Sequence, residues 1–240
     1  MSARSRLRAA RIFQRYARLV ALPAVLLVAG CSSETLFRSD FSPTPVGDPP
    51  STTQAVGTAN IIGPDVIVVQ APPDAAPSGK WVQITRNPSP TTTPGFQGVL
   101  TREAGDGVYT FSATLYMPAK TTGPTSLSFD TANQGNFAGF LHLDFMADNT
   151  VRVDDGQNGS SFGTFPRDKP FGVQVTLTIN GTPSAHIVLY GDGASGITDR
   201  TVLVPFRQDA HRFNAVRVWI GFPNSGTIDA THLVVTKRRD

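Results

Sequence analysis

Apolar and polar residues alternate along most of the chain beyond residue 58. Phe171, Val173, Val175, Leu177 and Ile179 fall on one face of an extended segment, with Gln174, Thr176 and Thr178 on the other. Val216, Val218 and Ile220 oppose Arg217 and Trp219, and Leu141, Leu143 and Phe145 oppose His142 and Asp144. A period of two marks a half-buried strand. Such runs are expected at 65–70, 80–86, 98–101, 108–117, 126–130, 139–146, 150–154, 171–179, 185–190, 201–205, 215–222 and 227–236. They are rich in Val, Ile, Thr and Phe, and Gly, Pro, Asn and Asp separate them. Asn180-Gly181 reads as a hairpin turn. No three-turn amphipathic helix competes. The expected fold is all-β: a two-sheet antiparallel β-sandwich of the jelly-roll kind over 58–240, each sheet with one dry and one wet face.

One hairpin follows in more detail. Residues 141, 143 and 145 are apolar before it, and 151 and 153 after it. Both sets share a face only if paired positions sum to an even number. The loop is then Ala147-Asp148-Asn149, with Asn149 in the left-handed conformation that Asn tolerates. This register sets Asp144 opposite Arg152 and His142 opposite Asp154, which opposite charge favours by up to ~1 kcal/mol.

The amino-terminal pattern differs. Six Arg and no acid fill the first 19 residues, and the apolar run 21–30 follows. Basic, then apolar, then small is a secretory signal, too short to span a bilayer. Its end, Val28-Ala29-Gly30-Cys31, resembles the lipobox of bacterial lipoproteins. The resemblance implies cleavage before Cys31 and lipid on its sulfur and new amino group, which ties the protein to a membrane. Ser32, where an Asp favours inner-membrane retention in that family, implies the outer membrane, with either face open. Residues 31–57, scattered with Pro, Ser and Thr, read as a lipidated Cys on a flexible tether.

Removing 1–30 reverses the charge. The chain has 21 Lys and Arg against 18 Asp and Glu; with six Arg gone the remainder is 15 against 18, a net −3. Basicity therefore gives no support to a nucleic-acid partner. Cys31 is the single cysteine, so the domain must stand without a disulfide.

Four segments in order carry a second resemblance: 139–156 (GFLHLDFMADNTVRVDDG), 170–181 (PFGVQVTLTING), 185–190 (AHIVLY) and 226–236 (GTIDATHLVVT). They are similar to the concanavalin A-like superfamily of legume lectins, laminin G modules and related glycanases, over roughly 95–236. That implies a jelly roll and a carbohydrate ligand.

Candidate chemistry narrows on inspection. A glycosidase needs two carboxyl groups ~5–10 Å apart, and glycanases resembling this fold carry acids at alternate positions of one strand. Beyond the signal, the only two Glu are Glu34 and Glu103, and no strand repeats acids on one face. A lyase with His142 or His186 as base, or Arg152 as charge neutraliser, has no further support. No Gly-x-Ser-x-Gly occurs, and His142, His186, His211 and His232 are scattered. Asp154, Asp155 and Asn158 could line a structural calcium loop, although an ordinary polar hairpin end has the same composition. Sugar binding fits best, because aromatic rings beside polar side chains stack and orient sugars. By alternation Trp219 shares a side with Arg217, Trp81 with Gln83 and Thr85, Tyr190 with His186, and Tyr116 with Thr114 and Ser112. Trp219, Arg217, Tyr190, His186, His142, Asp144, Arg152 and Trp81 are the expected ligand-binding residues, with no catalytic residue. The alternatives are an assembly lipoprotein that binds an envelope protein and a carbohydrate-active enzyme.

Overall fold

A computed structural model describes residues 32–73, 75, 78–88, 93–130, 139–154, 160–202, 213–221 and 223–239, with 139, 140 and 154 described by backbone alone. Residues 1–31, Cys31 and the expected signal among them, lie outside the described residues. The compact unit is Ser33–Arg238. Of the second unit, Met1–Ser32 with Arg239–Asp240, Ser32 and Arg239 are described, and Arg239 N donates to Ser32 O at 2.9 Å.

Fifteen strands are described, and no helix: β1 (Ser33–Arg38), β2 (Thr58–Ile62), β3 (Val66–Gln70), β4 (Lys80–Arg86), β5 (Gly95–Ala104), β6 (Gly107–Tyr116), β7 (Thr125–Asp130), β8 (Gly139–Phe145), β9 (Thr150–Asp154), β10 (Ser160–Thr164), β11 (Phe171–Ile179), β12 (Ser184–Tyr190), β13 (Ser195–Thr201), β14 (Phe213–Trp219) and β15 (Gly226–Arg238). The expected alternation and the all-β class hold. The inward positions Val173, Val175, Leu177, Val216, Val218, Leu141 and Leu143 are 0–1% exposed.

The two separate sheets expected from the sequence are one. Antiparallel pairing runs β2-β5-β14-β7-β8-β9-β10-β13-β12-β11-β6-β15-β4-β3, with β1 added on β15. The sheet doubles back, so that its two flanks face each other across a single core. Rings mark the contact: Phe129 of β7 meets Phe111 of β6 edge-on at 5.5 Å, and Phe213 of β14 meets Tyr109 of β6 at 5.6 Å. The bend passes through β10, which pairs β9 on one side and β13 on the other. There Gly163 opposes Gly196, and a side chain on Gly163 would lie 2.4 Å from Ser195 O.

The other side is closed by β1. Its backbone pairs with β15, Ser33 opposite Arg238 and Glu34 opposite Lys237. Its Phe37 reaches across to β5 and lies over Gly98, where a Cβ would come within 2.3 Å of the ring. Residues 33–57 are therefore not a tether. Leu36 and Phe37 are fully buried, Phe41 packs edge-on against Phe96 at 5.3 Å, and Thr44 and Gln54 are enclosed. Pro43 and Pro45 belong to turns closed by Thr44 N to Phe41 O and by Asp48 N to Pro45 O, each at 3.3 Å. Gly47 N donates to Val68 O and Val68 N to Asp48 O, both at 2.8 Å, which covers the edge of β3. Ala59 N donates to Thr52 O at 2.8 Å on the edge of β2. These bonds occupy part of the outer edge of each end strand. The folded domain begins at Ser33 rather than at residue 58.

The hairpin register is as expected. Phe145 pairs with Val151, Asp144 with Arg152 and His142 with Asp154, and Asn149 has φ 66°. Asp148 ties the loop by accepting from Thr150 N at 3.1 Å and Thr150 Oγ1 at 2.6 Å.

Replacing Phe37 by Ala empties the space over Gly98 and should cost about 3–5 kcal/mol, the usual range for a core Phe. Urea unfolding measures it. A loss below about 1 kcal/mol would show that β1 is dispensable to the domain.

Candidate functional site

Polar residues gather on the outer face of β5, β14, β7, β8 and β9. Register aligns two rows. Gln97, Arg217, Ser128 and His142 lie side by side, and so do Gly95, Trp219, Ser126, Asp144 and Arg152. Alternation predicts this face to be wet, but much of it is enclosed. Gln97 is 3% exposed, and Ser128, Asp130 and Arg217 are 1% exposed.

Hydrogen bonds explain how the polar groups tolerate burial. Trp219 Nε1, which can only donate, gives its hydrogen to Ser128 Oγ at 3.1 Å. Ser128 Oγ in turn donates to Asp130 Oδ2 at 3.0 Å. The Arg217 guanidinium lies over the Trp219 ring at 4.9 Å, and its Nη2 donates to Thr93 O at 3.1 Å. His142 meets Trp219 at a steep angle, ring centres 6.0 Å apart. Gly221 leaves room for the indole, since a Cβ there would lie 2.7 Å from its Cζ3, and a Cβ on Gly95 would lie 2.9 Å from Arg217 Nε and from Trp219 Cβ. Asp144 accepts from Ser126 Oγ at 2.6 Å, so its hydrogen-bond partner comes from β7, although Arg152 is its cross-strand neighbour.

Asp130 Oδ1 and His142 Nε2, 3.9 Å apart, are buried without a hydrogen-bond partner among the described residues. An unsatisfied buried polar atom costs about 1–3 kcal/mol. Burial pushes the Asp130 carboxyl above its ordinary range, against the pull of His142, the Ser128 hydroxyl and Arg217. Burial likewise lowers Arg217 to about 10, opposed by Asp130, so it is still a cation at neutral pH.

The expected ligand residues do not all meet. Trp219, Arg217, His142, Asp144 and Arg152 do. Tyr190 and His186 stand on β12, on the opposite flank. Tyr190 is 47% exposed with its ring laid over Gly172. His186 Nδ1 is 2.8 Å from Asp199 Oδ1, beside a cleft of about 400 Å³ that Thr176 and Thr178 also line. Trp81 is 0% exposed and offers no ring to a ligand, which corrects its placement on a wet face. Asp130 and Ser128 are absent from the sequence-based set. Their signal was present in Ser126, Ser128 and Asp130 alternating with Leu127 and Phe129. Asp155, Asn158 and His211 lie outside the described residues, and of Asp154 the backbone alone is described. Among the described residues no three His, Cys, Asp or Glu side chains gather as a metal site.

No family model matches the chain, and no curated protein matches it. Solved structures do. A sialidase is 13% identical with TM-score 0.52, over 75% of this chain and 17% of its own. A conserved carbohydrate esterase of the Shiga toxin-encoding bacteriophage phi24B is 14% identical with TM-score 0.60, over 87% of this chain and all of its own. The botulinum neurotoxin serotype G binding domain is 11% identical with TM-score 0.51, over 85% of this chain and 48% of its own. The chain thus spans less than a fifth of the sialidase. At such identities the likeness is one of all-β fold.

A second buried carboxylate lies on the outer face of β4, β15 and β6. Asp229 is 4% exposed and accepts from Gln83 Nε2 at 2.9 Å. Burial raises it from 3.8 to about 6, against the Gln83 hydrogen bond and Lys120. The folded state therefore holds this proton more tightly than the unfolded chain does. Its contribution to stability is greatest below the unfolded value and is lost as pH rises through about 6. Asp229→Asn, which never charges, should gain on the wild type between acid and neutral pH, by at most about 3 kcal/mol at 1.36 kcal/mol per unit. Denaturant unfolding at both pH values measures this, and a difference independent of pH contradicts it.

Proposed function

We propose that this domain is a concanavalin A-like, lipid-anchored module that binds glycan over β14, β7 and β8. The observation that carries the reading is the pair of unpartnered atoms beneath Trp219. A fold keeps a buried acceptor and a buried ring nitrogen unsatisfied at a cost, and a ligand hydroxyl recovers that cost. Glycans are dense in hydroxyls, and the adjacent indole supplies apolar surface. Two of the structural relatives are, by name, a sialidase and a carbohydrate esterase, which agrees with a carbohydrate ligand.

Two other readings receive less support. Strand addition by an envelope protein needs an open edge, and residues 47–48 and 52 already hydrogen-bond Val68 on the edge of β3 and Ala59 on the edge of β2. Hydrolysis through a serine–histidine pair needs a serine that hydrogen-bonds histidine. Ser128 gives its hydrogen to Asp130.

The anchor in this reading is Cys31, in the outer membrane. It stands two residues before β1, so the domain rides close to the lipid surface, at about 3.5 Å of chain per residue.

The full chain, extracted in detergent and applied to a glycan array, should bind, and Trp219→Ala should lose binding while Tyr190→Ala keeps it. Binding to no glycan defeats the proposal. Cys31→Ser should abolish incorporation of labelled palmitate and release the protein from the membrane fraction. Continued labelling would place the lipid elsewhere.

A further inference from the structure

Asp130 Oδ1 and His142 Nε2 share more than the lack of a partner. At 3.9 Å they are too far apart to bond each other and too close to hold a ligand atom in line between them. One oxygen about 2.8 Å from both, at ordinary hydrogen-bond length, stands at the apex of a nearly right-angled triangle. Chemistry then limits that oxygen. Asp130 Oδ2 already takes the Ser128 hydrogen, whose direction is dictated by the Trp219 donor on the same Oγ. The free Oδ1 is therefore an acceptor and wants a hydrogen. Nε2 of His142 can supply one when it carries the ring proton. The oxygen must donate one way and accept the other, which a hydroxyl does and a carboxylate does not.

Charge points the same way. Among the described side chains around the site, Arg217 and Arg152 balance Asp130 and Asp144, so the floor offers no surplus positive charge. Of these, Arg217 is engaged with Trp219 and Thr93 and Asp144 with Ser126. A buried, unpartnered carboxylate oxygen repels an anion brought against it.

We infer that Asp130 and His142 form a clamp for one hydroxyl of an uncharged sugar, so that the site selects neutral glycans over those presenting a carboxylate. The clamp rests on the glycan-binding reading and adds the class of sugar. Asp130 is the acceptor, 1% exposed and held by Ser128; His142 is the donor, with its side chain 26% exposed. Trp219 positions the pair through Ser128.

The test compares neutral with uronate- or sialate-terminated glycans on the same array, using the full chain. The wild type should prefer neutral sugars. Asp130→Asn should weaken neutral binding at least about tenfold, the size of one charge-assisted hydrogen bond, and narrow the gap to acidic sugars. His142→Gln, whose amide can donate from a similar place, should bind within a few-fold of wild type, and His142→Ala should not. These two variants change a partly exposed position, so they remain informative if Asp130→Asn fails to fold. A wild type that prefers acidic sugars overturns the clamp, as does an unchanged profile in both Asp130→Asn and His142→Ala; in either case glycan binding itself stands. A wild type that binds nothing overturns the glycan reading and the clamp with it.

Discussion

The contact between Phe37 and Gly98 holds the molecule closed. A single sheet that doubles back has two ends, and β2 and β3 do not pair with each other. Strand β1 bridges the gap by two different forces. Backbone hydrogen bonds join it to β15 on one flank. On the other flank its ring fills the space that Gly98 leaves open, beside Phe96 at 6.5 Å. Any side chain at residue 98 would push that ring out of the core. The facing flanks, the rings between them and the polar depression outside β14 all depend on this closure, since no disulfide assists it.

The polar face over β7 and β14 shows what closure permits. Trp219 to Ser128 to Asp130 is a chain of donors and acceptors with one direction, buried in a domain whose other buried groups are mostly apolar. Such a chain fixes side-chain positions better than packing alone, because each link has one acceptable geometry. It ends on atoms that no described residue satisfies. Local stability is given up at the place where recognition is proposed, as it commonly is at functional sites. The exposed Tyr190 and the His186–Asp199 pair on the far flank have no comparable buried support.

Strands with clean alternation were legible, and their register followed from parity, as at Asp148 and Asn149. The strands that escaped were those whose partners lie elsewhere. Ser160–Thr164 has no apolar stripe because Gly163 packs by its lack of a side chain. Ser33–Arg38 looked like tether because two adjacent apolar residues, Leu36 and Phe37, do not make a period, and the prolines after them suggested a spacer. Residues 195–201 carry Gly196, Asp199 and Arg200, which read as loop, and gain order by pairing with β12 and, at Ser195 and Gly196, with β10. At the site, alternation located Trp219 and Arg217 on the correct side. It does not tell a wet polar face from an enclosed one: Trp81 alternates like a residue of an open face and Asp130 like a solvated acid, yet both are buried. Sequence period reports which way a side chain points, and burial depends on what folds over it.

Ser33 stands opposite Arg238, so the two ends of the folded unit lie only about 5 Å apart. That has a mechanical consequence. Load applied between the ends parts β1 from β15 like a zip, one pair at a time, instead of shearing the whole ladder at once. Resistance to pulling is then set by single rungs, however large the core behind them. A protein carrying this unit in mid-chain would feel it as an insertion of almost no length, yet one that tension could unravel from its seam.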